Sequence, residues 1–192
     1  AVVDRSNGAL VWKRAEQGNG NLKSGFAIGG FLGDTAVLRV GGQPRIFGGS
    51  AINTPITYDP VSGAAKVQST DVLVRNLVSM QAFSGVDGAG AWSAAQTYTY
   101  GATTAANGVV YVGALDGFLR AFDAVSGRLL WIFPVAAPIS SGAAIGAGTV
   151  VIGAGTSESD VQFKLDNVGA LKPISNLNGV WAFALPQEVP HS

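Results

Sequence analysis

One short pattern recurs along the chain and limits what it can fold into more than any other feature. Asp123 opens the run DAVSGRLLW, which closes on Trp131, and Asp4 opens DRSNGALVW, which closes on Trp12; both fit D-x3-G-x3-W, with Gly127 and Gly8 in the middle. A degenerate third copy starts at Asp59 (DPVSGAAKV), with Gly63 in place and Val67 where the tryptophan would stand. The physical unit behind such a pattern is a hairpin. An apolar strand delivers the aspartate, whose short carboxylate caps backbone N–H groups of the turn. The glycine supplies the positive φ the turn needs, and the returning strand carries the tryptophan.

The surroundings of the repeat read as strands. Val109 to Ala114 (VVYVGA) and Thr149 to Gly153 (TVVIG) are short, β-branched and bounded by Gly-rich or Asn-Gly segments. Helical periodicity is nowhere sustained. The 27 glycines are spread as punctuation between apolar runs, which favours many tight turns.

The best-preserved unit runs from Trp92 to Pro134, with strands expected at Trp92 to Tyr100, Val109 to Ala114, Phe118 to Asp123 and Arg128 to Phe133. Asn107-Gly108, Asp116-Gly117 and the Asp/Gly hairpin would join them. Four antiparallel strands in roughly 43 residues match one blade of a β-propeller. Residues 1–13 read as the end of a blade, 26–67 as a blade, Val72 to Ala91 as a long connection, 139–186 as an incomplete blade and 187–192 as a tail. The expected fold class is therefore all-β: a partial propeller with two whole blades and parts of two more. Propellers close with four to eight blades, so the expectation is that further blades come from upstream chain, a partner chain or another copy.

Composition removes several function classes. Twelve acidic and twelve basic residues balance, so no long-range field draws in nucleic acid or an anionic membrane. There is no cysteine, hence no disulfide, thiolate nucleophile or Cys-ligated zinc. No apolar run reaches the ~20 residues of a membrane helix, and Ala1 to Arg5 lack a signal-peptide layout, so an exported protein would be shown here processed or truncated. The single histidine, His191, stands in the tail, which leaves a Ser-His-Asp triad or a His-rich zinc site without support. GNGNLKSG, from Gly18 to Gly25, lacks the pattern of a phosphate loop.

The stretch from Asn107 to Gly155, NGVVYVGALDGFLRAFDAVSGRLLWIFPVAAPISSGAAIGAGTVVIGAG, resembles the repeat of the PQQ-binding-like propellers, also called quinoprotein alcohol dehydrogenase-like, and GVWAFALP resembles the close of such propellers. That family holds methanol, glucose and polyvinyl alcohol dehydrogenases and also a non-catalytic outer-membrane assembly lipoprotein. The resemblance implies a periplasmic or extracellular protein. It implies that Trp12 and Trp131 pack between blades, and that catalytic members hold PQQ and calcium on the propeller axis. Two functions follow from it: part of a PQQ-dependent alcohol or sugar dehydrogenase, or a non-catalytic scaffold for protein partners. The family's cysteine pair is missing here, and no local motif maps onto its calcium ligands.

Site candidates are few. Trp92, expected to open an innermost strand, is a candidate platform for a planar cofactor, with blade packing as its competing role. Asp87, in a Gly-rich loop, is a candidate general base or ligand, with turn capping as the alternative. Glu158 and Asp160 are candidate cation ligands, or members of a solvated loop. Arg75 and Arg120 are candidate anchors for an anionic cofactor, both expected to face solvent.

Overall fold

The computed structural model describes residues 1–13, 26–30, 33–58, 65–67, 80–94, 99–114, 116–135, 137–155 and 178–184. All its regular elements are strands, paired antiparallel. A hairpin comes first, β1 (Val2–Val3) with β2 (Leu10–Trp12). Next are β3 (Phe26–Gly30), β4 (Ala36–Val40), β5 (Gln43–Gly49), β6 (Ala51–Tyr58), β7 (Ala65–Val67), β8 (Met80–Ser84) and β9 (Gly90–Ala94). They form two sheets: β4-β5-β8-β9, and separately β3-β6-β7. A second four-stranded sheet holds β10 (Thr104–Ala106), β11 (Val109–Gly113), β12 (Phe118–Asp123) and β13 (Leu129–Pro134). The last sheet holds β14 (Ala144–Gly146), β15 (Thr149–Ala154) and β16 (Gly179–Ala184).

This pairing redistributes three of the expected units. Val72 to Ala91 is not simply a connection, because it contains β8 and the start of β9. The expected blade over 26–67 divides: β4 and β5 pair onward with β8 and β9, while β3, β6 and β7 make a sheet of their own. Trp92 belongs to β9, the last strand of one blade, and does not open the next, which begins at Thr104. Chain connectivity explains the division, since β5 runs to Gly49 and β6 starts at Ala51, so one extended run serves two sheets.

Each blade keeps the same hairpin between its first two strands. The turns Gly41-Gly42, Asn107-Gly108 and Ala147-Gly148 all have positive φ at both central residues, the type I′ geometry that matches the twist of the strands it joins. Ala147, at φ 47, is the strained member, because a Cβ in the left-handed region crowds the following carbonyl. Asn107 holds φ 50 at the matching position with a side chain that tolerates it. Ala147→Asn is accordingly expected to stabilise the chain by about 1 kcal/mol. An upward shift of the denaturant midpoint would report it; an unchanged or lower midpoint would show that the turn carries no strain.

The core lies between blades rather than within one. Phe47, Met80 and Ala82 of the β4-β5-β8-β9 blade meet Val110, Val112 and Phe122 of the next, all buried, with Trp92 packed against them. On the far face of the second blade, Leu119 joins Val135, Ala137, Ile139, Ile152 and Ala154, with Phe133, Trp181 and Phe183 alongside. Each fully buried large side chain contributes roughly 1.5–3 kcal/mol. A strand such as β12 is thus apolar on both faces because each face is covered by a neighbouring sheet.

Candidate functional site

The two ends of the blades differ. At one end of the β10-β11-β12-β13 blade the turn after the first strand meets the turn after the third, the Ala124 N–H donating to the Gly108 carbonyl at 2.8 Å. At the other end the Asp116-Gly117 turn meets the connection to the next blade, Val135 N–H donating to Gly117 O at 2.7 Å and Ile139 N–H to Ala114 O at 3.0 Å. The two long excursions between paired strands, 50–79, which carries β6 and β7, and 156–177, both leave from this second, connecting end. In a sheet scaffold that is where binding residues gather.

The inner wall at the connecting end is built by backbone and hydroxyl groups. The first strands β4, β10 and β14 lie side by side. Thr103 N–H donates to Asp34 O at 2.9 Å, Thr104 Oγ1 to Ala143 O at 2.6 Å, and Thr103 Oγ1 accepts from Gly49 N–H at 3.0 Å. Ser141 Oγ both accepts from Gly153 N–H and donates to Gly153 O. Gly101 sits so close to the Ser141 carbonyl that any Cβ there would collide with it. The two threonine hydroxyls are spent on seating one blade against another, and that of Ser141 on closing its own blade.

Arg120 also lies toward this end, and not in solvent as its alternation implies. Its guanidinium forks onto Asp116, Nη2 to Oδ2 at 2.7 Å and Nη1 to Oδ1 at 3.1 Å, with both side chains almost wholly buried. It also lies over the Phe118 ring. Burial on both faces of β12 is what defeats the alternation rule.

Of the expected cofactor and cation residues, Asp87 and Trp92 are among those described. Asp87 stands in the turn between β8 and β9, at the tight-turn end, where its Oδ1 accepts Ala89 N–H at 3.0 Å. Trp92 is on β9, donating its indole N–H to Ala124 O at 3.1 Å. Glu158, Asp160, Arg75, Asp59, Gly63 and His191 lie outside the described residues. Among the described residues no three of His, Cys, Asp or Glu cluster to hold a metal ion.

What the structure does bring together is a seam that the sequence pattern only half disclosed. Ser84-Gly85-Val86-Asp87-Gly88-Ala89-Gly90-Ala91-Trp92 is a further copy of the repeat, with serine in place of the first aspartate. Ser84 N–H donates to Ala89 O and Gly88 N–H to Ser84 O, as Asp123 does with Arg128 and Gly127, and Asp4 with Ala9 and Gly8. Gly8, Gly88 and Gly127 have φ of 72, 72 and 73. Hydrogen bonds from the side chain and backbone N–H of Ser126 hold the Asp123 carboxyl below its ordinary range, and Ser6 does the same for Asp4. Two of the tryptophans cross to the next turn. Trp12 donates Nε1–H to Gly85 O at 3.1 Å with its ring over Gly88, and Trp92 donates to Ala124 O with its ring over Gly127.

No protein-family model matches the chain, nor does any curated protein. Solved structures do. A quinohemoprotein alcohol dehydrogenase, ADHIIG, from Pseudomonas putida HK5 is 17% identical with a TM-score of 0.53 over 80% of this chain and 26% of that one. A europium-containing methanol dehydrogenase is 15% identical with a TM-score of 0.54, over 80% of this chain and 32% of that one. The fold is that of a β-propeller. The chain spans about a third or less of either enzyme's length, and identities this low speak to the fold alone. Among the described residues no helix is long and apolar enough to cross a membrane.

Proposed function

We propose that this chain is a portion of an exported PQQ-dependent alcohol or sugar dehydrogenase, its active site completed by blades other than those described. The observation that supports the reading is the superposition of 80% of the chain on a quinohemoprotein alcohol dehydrogenase and, equally, on a europium-containing methanol dehydrogenase. In such an arrangement the described strands form wall and scaffold. PQQ, when bound, supplies the two-electron acceptor for alcohol oxidation. Of this chain's own residues, Glu158 and Asp160 are the ones we assign to a cation, because the segment that carries them departs from the connecting end. Asp87 and Trp92 are held at turns and seams, and we give them no part in the chemistry.

The test is to add PQQ and Ca²⁺ to the intact protein, desalt it, and assay alcohol-dependent dye reduction. Retained quinone absorbance together with dye reduction is the expected result. Loss of the quinone on desalting with no reduction would overturn the reading, and would leave a propeller that acts as a scaffold for protein partners.

A further inference from the structure

Asparagine followed by glycine occurs four times in the chain, at Asn7-Gly8, Asn19-Gly20, Asn107-Gly108 and Asn178-Gly179. The second pair lies outside the described residues. The dipeptide carries a chemistry of its own, because a glycine peptide nitrogen has no side chain beside it to hinder attack on the carboxamide carbon of the preceding residue. The fold decides whether it reacts: the nitrogen has to reach that carbon, and the backbone has to move as the ring closes.

The three described pairs differ on both counts. Asn107 sits at φ 50, and a left-handed residue turns the next peptide nitrogen away from its own Cβ. Gly108 is tied down as well, its carbonyl accepting the Ala124 N–H at 2.8 Å from the neighbouring turn. Asn178 is pressed against Gly155, where any Cβ would collide with its Oδ1, and Gly179 stands in the ladder opposite Ala154. Asn7 is exposed, on a hairpin whose strands are two and three residues long. Its Oδ1 accepts the Ala9 N–H at 2.8 Å, which folds the side chain back over the Gly8 peptide and polarises the carboxamide carbonyl. The Gly8 N–H donates to Asp4 O at 2.7 Å, so that turn bond must open first. Exposed bonds in short terminal elements are the ones that open most readily. The equivalent turn of the next blade is braced by the Trp12 ring lying on Gly88, whereas among the described residues nothing lies within 4 Å of where a Gly8 Cβ would be.

We propose that Asn7 is a site of self-modification in this chain. The Gly8 nitrogen bonds to Asn7 Cγ, the Cγ–Nδ2 bond breaks, and the amide leaves as ammonia with the proton given up by the Gly8 N–H. Water then opens the five-membered imide at either carbonyl, leaving aspartate or isoaspartate at position 7. Either product adds a negative charge to a chain whose formal net charge is zero. The aspartate product is a residue the fold already uses at that place, since Asp87 accepts the Ala89 N–H at 3.0 Å one blade on. The isoaspartate product inserts an extra backbone carbon between Asp4 and Ala9 and undoes the hairpin's register. None of this needs a cofactor, so it stands or falls apart from the dehydrogenase reading.

The test is to hold the intact protein in mildly alkaline buffer, digest samples with trypsin over several days, and follow the peptides by chromatography and mass spectrometry. The peptide of residues 6–13 is expected to gain its acid forms several times faster than the peptides that carry Asn107 and Asn178, and faster still as the pH is raised. In strong denaturant, where the three dipeptides are chemically alike, their rates should converge. Conversion of Asn107 or Asn178 as fast as Asn7 in the folded protein would overturn the proposal. So would an Asn7 that stays intact in the folded protein while all three convert in denaturant.

Discussion

Replacing Gly127 by valine is expected to lower the melting temperature by roughly 10 °C. Two costs add. A β-branched residue at φ 73 pays about 1–2 kcal/mol for the left-handed backbone. The new Cβ would stand 2.5 Å from Trp92 Cδ2 and 2.6 Å from Cε3, so the indole must leave its seat, an overpacking cost of about 1–3 kcal/mol. At about 2–4 °C per kcal/mol for a chain of this size, the sum gives the stated drop. Gly8→Val in the same protein is the control. It pays the backbone cost without the collision, since its Cβ position is open among the described residues, and should cost roughly 4 °C. Equal drops for the two would show that the ring-on-glycine contact adds nothing to stability. A larger drop for Gly127→Val isolates the seam from the turn.

The sequence disclosed the hairpins at Asp4 and Asp123 because three residue types with separate jobs stand at fixed spacing. The copy at Ser84 escaped it for one reason: the pattern demanded aspartate. Serine does part of the same work, its Oγ accepting Val86 N–H at 3.3 Å where Asp123 Oδ1 accepts Val125 N–H at 3.1 Å. Gly88 and Trp92 were in register all along, and relaxing the first position would have found them. The third strand Met80–Ser84 was equally hard to read, since MQAFS has no β-branched residue and is buried through its first four positions. First strands of three residues, Thr104–Ala106 and Ala144–Gly146, are too short to show alternation at all.

The candidate chemistry was less legible still. Carboxylates that look available in a glycine-rich stretch, such as Asp87, are what tight turns require, and composition does not separate a turn cap from a ligand. Which end of a blade a turn occupies decides between them, and that follows only from strand pairing. Pairing puts Asp87 at the end opposite the long segments and Asp116 at the same end as them, where its carboxylate is taken by Arg120.

Trp92→Ala is the second large effect expected, a loss of about 3–5 kcal/mol. The indole lies 5.8 Å from the Phe47 ring and 6.4 Å from Phe122, bridging the faces of two blades, so truncation opens a cavity in the core between them. Trp131 fits the same sequence pattern but is 37% exposed. Its removal strips less covered area and should cost about half as much or less. Trp92→Phe separates packing from polarity. It keeps an aromatic ring in the seam and gives up the indole N–H, but Ala124 O is not orphaned, because Arg45 Nη1 also reaches it at 3.3 Å and Val125 O at 2.9 Å. A carbonyl that keeps a charged donor loses little, so Trp92→Phe should cost no more than about 1.5 kcal/mol. Denaturant unfolding of the three variants ranks them directly. If Trp92→Phe proved as costly as Trp92→Ala, the seam would depend on the indole N–H bond rather than on the ring, and the blades would be joined by hydrogen bonding at the turns more than by the apolar faces they bury.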